Sequence, residues 1–130
     1  MIQGLEEKII SVVRLHPEIK LVYLFGSRTG GETGPLSDYD IAVYADERDK
    51  AKLFNLKLAL MDEIGRALGT DRVDIVMLNL AESPELKYHV IKQGKLLYEE
   101  EPFQVLIEPK ILNEYFDFHE SLIRYKLTAA

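Results

Sequence analysis

Two aspartates separated by one residue are the first feature of this sequence that could carry chemistry. Asp38 and Asp40 lie in the segment Ser-Asp-Tyr-Asp-Ile-Ala-Val, whose alternation and β-forming residues predict a strand. Residues two apart on a strand point to the same face, so both carboxylates would lie side by side. Such a pair repels unless a cation lies between its members, and hard oxygen ligands suit Mg²⁺ or Mn²⁺. The plainer interpretation is a solvated strand start.

A third aspartate, Asp74, interrupts the otherwise apolar segment 73–78. A charge among buried residues is costly unless it is paired or bound to metal. If this segment forms a strand beside that of Asp38 and Asp40, three carboxylates converge on one point. Alternatively, Asp74 occupies an exposed strand end or pairs with Arg72 or a lysine.

A glycine and a serine, Gly26 and Ser27, follow directly on the apolar run 21–25. Glycine at a strand end lets backbone N–H groups approach a phosphate, and a helix starting at Ser27 would direct its positive end there. Ser27 adds a hydroxyl donor and Arg28 a cation. The pattern is neither a Walker loop nor a dinucleotide fingerprint, and an ordinary turn with Ser27 as N-cap also accounts for it.

Hydrophobic periodicity predicts the elements that must position these residues. The chain reads as helix, strand, loop, strand, helix, strand, helix, strand, helix, which predicts an α/β (α+β) fold with a small mixed sheet and helices packed on it. Gly69 is predicted to cap the second helix, and Ser83 and Pro84 to begin the third. Pro109 is expected to kink or divide the last helix. The predicted helices cover 2–15, 50–68, 84–94 and 103–126, and the strands 21–25, 39–44, 73–78 and 95–98.

Composition limits the function classes. The 130 residues predict a single domain over 1–130, without a signal peptide or a membrane span, and the absence of cysteine removes disulfides and thiolate chemistry. A net charge of −6 disfavours a long nucleic-acid substrate. We therefore expect a cytoplasmic protein.

The motifs taken together resemble a known family. Gly26-Ser27, ten residues, Asp38-x-Asp40 and a later Asp74 are similar to the minimal nucleotidyltransferase (MNT) domains of the DNA polymerase β-like superfamily, over about 21–98. The resemblance implies that Asp38, Asp40 and Asp74 are catalytic and hold two Mg²⁺ or Mn²⁺ ions, and that Gly26, Ser27 and Arg28 bind the nucleotide. Members often carry a short helix after Gly-Ser; here the glycines at 30, 31 and 34 predict a loop that is ordered only when nucleotide binds.

Stand-alone members of this family are similar to antitoxins that act with HEPN-domain ribonuclease toxins. The resemblance implies a protein adenylyltransferase that moves AMP from ATP to a tyrosine of such a partner. One alternative is a non-catalytic module that neutralises its partner by complex formation. Another is a nucleotidyltransferase that acts on a small molecule.

The last helix carries a wider apolar face than one small sheet requires. We expect part of this face to close the core and part to contact a partner or a second copy, as in a homo-oligomer. Tyr88 and the three histidines are expected to be structural or surface residues. The face comprises Phe103, Leu106, Ile107, Leu112, Tyr115, Phe116, His119, Leu122 and Ile123.

Overall fold

The computed structural model describes residues 2–25 and 39–129 as four helices and one four-stranded sheet. The strands are ordered β3-β2-β1-β4; β1 is antiparallel to β2 and β4, and β2 is parallel to β3. The predicted mixed sheet with packed helices is confirmed. The elements are α1 (Ile2–Val13), β1 (Ile19–Phe25), β2 (Tyr39–Ala45), α2 (Lys50–Leu68), β3 (Val73–Met77), α3 (Pro84–Gln93), β4 (Lys95–Glu99) and α4 (Phe103–Ala129).

Helix α2 is the connection that makes β2 and β3 parallel. It begins at the N-cap Asp49, whose carboxylate accepts hydrogen bonds from the backbone N–H groups of Ala51 and Lys52. It ends at Gly69, whose φ of 73° is left-handed and therefore favours glycine, as predicted for a C-terminal cap. Between these caps a buried stripe packs on the sheet and returns the chain to the start of β3. The stripe consists of Leu53, Leu56, Leu60 and Ile64.

The sheet is covered on both faces, and alternate strand residues supply the two cores. Ile41 and Ile75 face the layer that contains α1 and α2. Ala42 and Tyr23 face the layer that contains α3 and α4, where they meet Val90 and Ile107. No polar or charged residue is buried among the described residues. The folding energy of this region therefore comes mainly from apolar burial.

Helix α4 packs against β1 and α3, and its C-terminal half is largely exposed. The Tyr23 hydroxyl, which projects from β1, donates a hydrogen bond of 2.6 Å to Glu108. Burial, followed by this carboxylate, raises the pKa of Tyr23. The helix is continuous through Pro109, so the alternative that Pro109 divides it is wrong. None of the described helices is both long and apolar enough to traverse a bilayer.

Gly94, between α3 and β4, provides a test of the packing around β4. A Cβ atom at Gly94 would overlap the carbonyl oxygen of Val90 and lie 3.3 Å from that of Leu24. We expect Gly94→Ala to lower the free energy of unfolding by about 1–3 kcal/mol, measured by urea denaturation. Gly4→Ala in α1, where a Cβ meets nothing within 4 Å, is the control and should raise stability by about 0.5–1 kcal/mol. Equal effects of both substitutions would contradict the packing.

Candidate active site

Asp40 and Asp74 are brought together by the pairing of β2 with β3. The two residues are register partners in a parallel ladder, alongside Ile41 with Ile75 and Ala42 with Val76. Partners in such a ladder point to the same face, and neighbouring strands are about 4.8 Å apart. The two carboxylates therefore project side by side from adjacent strands, near the beginning of each.

The carboxylate pair lies on the α3/α4 side of the sheet, at a position that these helices leave accessible. Asp74 is exposed and Asp40 is partly exposed, whereas Ala42, two residues further along β2, is fully buried. Among the described residues no salt bridge involves Asp74. The alternative, that Asp74 lies near an exposed strand end, is therefore confirmed, and the same position makes it the neighbour of a second carboxylate.

The end of β1 completes the described surroundings of the pair. Phe25, the last residue of β1, is the antiparallel partner of Asp40 and packs with the α3/α4 core. Tyr39 points to the opposite face and packs with the α1/α2 core, because side chains alternate along a strand. Its backbone N–H donates to the carbonyl of Arg72, which ties the start of β2 to the start of β3. Motif reasoning did not single out Phe25, because its position follows only from strand pairing.

Four predicted site residues, Gly26, Ser27, Arg28 and Asp38, lie outside the described residues, and so does the predicted loop 30–35. Their roles stay predictions. Within the described part, no group of three or more potential metal ligands occurs, since only two of the three predicted carboxylates belong to it. Those two nevertheless provide adjacent hard oxygen donors on a solvent-accessible surface, which is the donor type that Mg²⁺ binds.

The apolar face of α4 separates into a buried part and an exposed part. Ile107 and Ile111 pack in the core, whereas the large side chains further along the helix are half-buried, as at Leu112 and Tyr115, or exposed. Tyr115 stacks on Tyr88 of α3 with 3.9 Å between ring centroids, so Tyr88 has a packing role as expected. The exposed apolar residues in the C-terminal part are Phe116, Leu122, Ile123 and Tyr125.

The chain resembles known proteins over most of its length. Residues 7–103 match the family described as polymerase beta, nucleotidyltransferase, which is most of the chain and includes both described aspartates. The chain belongs to this family and is a nucleotidyltransferase.

Three individual proteins and structures are similar to this chain over most of its length. The chain is 36% identical over 107 residues to the protein adenylyltransferase MntA of Aphanizomenon flos-aquae, a match that covers 76% of this chain and 69% of the relative. It is 32% identical, with a TM-score of 0.73 and full coverage of both chains, to a chain in the complex of the tri-AMPylated Shewanella oneidensis HEPN toxin with its MNT antitoxin. A toxin–antitoxin structure with AMP-PNP matches with 33% identity and a TM-score of 0.74, over 96% of this chain and 98% of the other.

Proposed function

We propose that this nucleotidyltransferase transfers AMP from ATP to a tyrosine hydroxyl of a HEPN-domain toxin and so acts as an antitoxin. The observation that carries the proposal is the register of β2 and β3, which places Asp40 beside Asp74. The relatives supply the substrate class: one is a protein adenylyltransferase, one belongs to a complex with an AMPylated HEPN toxin, and one to a complex with an ATP analogue. The absence of cysteine is consistent with action in the cytoplasm.

The site combines the described pair with the motif residues that the family resemblance assigns. Asp40 and Asp74, together with Asp38, would hold Mg²⁺, and Gly26, Ser27 and Arg28 would bind the triphosphate. When bound, the metal lowers the pKa of the acceptor hydroxyl and neutralises charge on the phosphates. The protein contributes a surface where backbone pairing of β2 with β3 keeps the two carboxylates side by side.

The transfer is an in-line displacement at the α-phosphorus of ATP. The acceptor hydroxyl oxygen forms a bond to this phosphorus, while the bond to the oxygen bridging the α and β phosphorus atoms breaks and pyrophosphate leaves. Asp74 is exposed, so it can orient the incoming hydroxyl and accept its proton, which then passes to water. The product carries AMP in phosphodiester linkage to the acceptor.

We also propose that the exposed C-terminal part of α4 contacts the toxin. Matches to chains solved in toxin–antitoxin complexes span nearly the whole chain, so α4 falls within the region shared with those antitoxins. Exposed aromatic and aliphatic side chains such as Phe116 and Ile123 are typical of the centre of a protein interface. A purely non-catalytic antitoxin would use the same helix, which is why the aspartates must be tested separately.

Replacing either described aspartate should remove catalysis and leave the fold intact. We expect Asp40→Asn and Asp74→Asn to slow AMP transfer to the toxin by about 100-fold or more, measured by mass spectrometry of the toxin with Mg²⁺ and ATP. Asp71→Asn is the matched control, because Asp71 is exposed and precedes β3 without facing Asp40. Full neutralisation of the toxin by Asp74→Asn would favour the non-catalytic alternative.

Metal binding can be measured without turnover. Mg²⁺ that binds only the native state should raise the melting temperature of the wild type. At a Mg²⁺ concentration of a hundred times Kd, the free energy of unfolding should rise by about 2.7 kcal/mol. The gain should be smaller in Asp40→Asn and Asp74→Asn and unchanged in Asp71→Asn. A shift that is equal in all four proteins would place the metal elsewhere.

The proposed contribution of α4 to toxin binding can be tested with a closely matched control in the same chain. Phe116 on α4 is 54% exposed, and Phe54 on α2, on the other side of the sheet, is 52% exposed. We expect Phe116→Ser to weaken toxin binding by about 2 kcal/mol, or roughly thirtyfold in Kd, since aromatic residues dominate interface energetics. Phe54→Ser should leave the Kd unchanged in the same calorimetric titration. An equal loss in both variants, or none in Phe116→Ser, would exclude this contact.

A further inference from the structure

The described residues form a concave surface at the end of β2 opposite to the carboxylate pair. This cleft of about 500 Å³ lies where β2 and β3 end, beside the start of α2 and beneath α4. Tyr44, which lines it, is four residues from Asp40 along β2, or about 13 Å. Ala42 lies between them and is fully buried by the α3/α4 core. The cleft is therefore separate from the candidate active site.

The rim of the cleft is basic although the chain as a whole carries a net charge of −6. One rim carboxylate, Glu114, already pairs with Lys87 at 2.7 Å, and the other, Glu47, accepts backbone N–H bonds at the start of α2. The other three cations of the rim, Arg48, Lys50 and Lys110, are exposed and form no ion pair among the described residues. We call this surface the basic cleft; its cations are Arg48, Lys50, Lys87 and Lys110. Its occupant should therefore be anionic.

Beneath this rim the cleft has an apolar floor. Leu53, Leu78 and Ile111 line it, and Tyr44 adds a half-buried ring. Desolvation of such a floor favours a ligand that brings apolar groups as well as negative charge. A simple inorganic anion would leave the floor unused.

The polar groups that could cradle a phosphate are already occupied. The Asp49 carboxylate accepts from the N–H groups of Ala51 and Lys52, so the N-terminus of α2 is capped by the protein itself. The Asn79 side chain exchanges two hydrogen bonds with the backbone of Ala45, at 3.0 and 2.8 Å, and so has no free edge for a nucleobase. Flexible basic side chains around an apolar floor fit the carboxylates and apolar side chains of a protein segment better than a nucleotide.

We propose that the basic cleft docks an acidic segment with apolar side chains on the protein that accepts AMP. Docking there would hold the acceptor protein while another part of it, carrying the hydroxyl, reaches Asp40 and Asp74. Tyr44 and Ile111 place one wall of the cleft on the α3/α4 side of the sheet, where the carboxylate pair also lies, so one partner can contact both surfaces. This inference rests on the proposed function for the identity of the partner.

The test is charge reversal at the two exposed lysines of the cleft. Lys50→Glu/Lys110→Glu should fold normally, because Lys50 is the first residue of α2, where negative charge suits the helix dipole. Binding to the HEPN-domain protein from the same genome is measured by biolayer interferometry without nucleotide. The control Lys8→Glu/Arg14→Glu makes the same change in net charge at two exposed positions. Lys8 lies in α1 and Arg14 directly follows it, and α1 packs on the opposite side of the sheet.

We expect the cleft variant to raise Kd, and KM for the HEPN protein in AMP transfer, by about tenfold or more, with a weaker dependence of binding on salt. The control should behave as the wild type, and KM for ATP should not change in either. Unchanged binding of the HEPN protein by the cleft variant would overturn the docking site. Loss of ATP binding by the cleft variant would also overturn it, because the cleft would then be a nucleotide site. If the wild type binds the HEPN protein through the cleft without AMPylating it, the proposed function fails while the docking site stands.

Discussion

The parallel pairing of β2 with β3 is the constraint on which the candidate site depends. Backbone hydrogen bonds set the register, and the register alone makes Asp40 the neighbour of Asp74. Because side chains alternate along a strand, a slip of one residue would turn Asp74 into the α1/α2 core and bring Val73 or Ile75 to the surface. Burial of Val73, Ile75 and Met77 opposes that slip. The apolar core of one face thus fixes the position of charges on the other.

Most of the architecture could be predicted from the sequence because each element carries a strong local signal. The caps at Gly69 and Ser83 and the apolar stripe of α2 are local features, and the structure has them where they were expected. Helix α1 ends two residues earlier than the predicted limit of 15, and α4 continues three residues beyond 126. The local sequence around Pro109 could not predict that α4 is one helix, since proline is compatible with both a divided and a continuous helix.

The site was predictable only in part, for a physical reason. The residue types and the two-residue spacing around Asp40 are local, whereas its adjacency to Asp74 required that β2 and β3 be neighbours. The basic cleft was not predictable at all. Its cations come from the start of α2, from α3 and from α4, and only the packing of α4 over the end of β2 brings Lys110 near Lys50. A net charge of −6 gave no sign of a basic surface, because total charge carries no information about its distribution.

The arrangement also explains how a small domain can act on a whole protein. Helices α3 and α4 cover the middle of one sheet face, where Ala42 and Val90 are fully buried. They leave the carboxylate pair accessible at one end and the basic cleft at the other, and the C-terminal half of α4 exposes apolar side chains. The carboxylate pair, one wall of the cleft and helix α4 lie on the same side of the sheet. Under the proposed docking, contacts away from the carboxylate pair would hold a large acceptor, and their binding energy would serve to position the reacting hydroxyl.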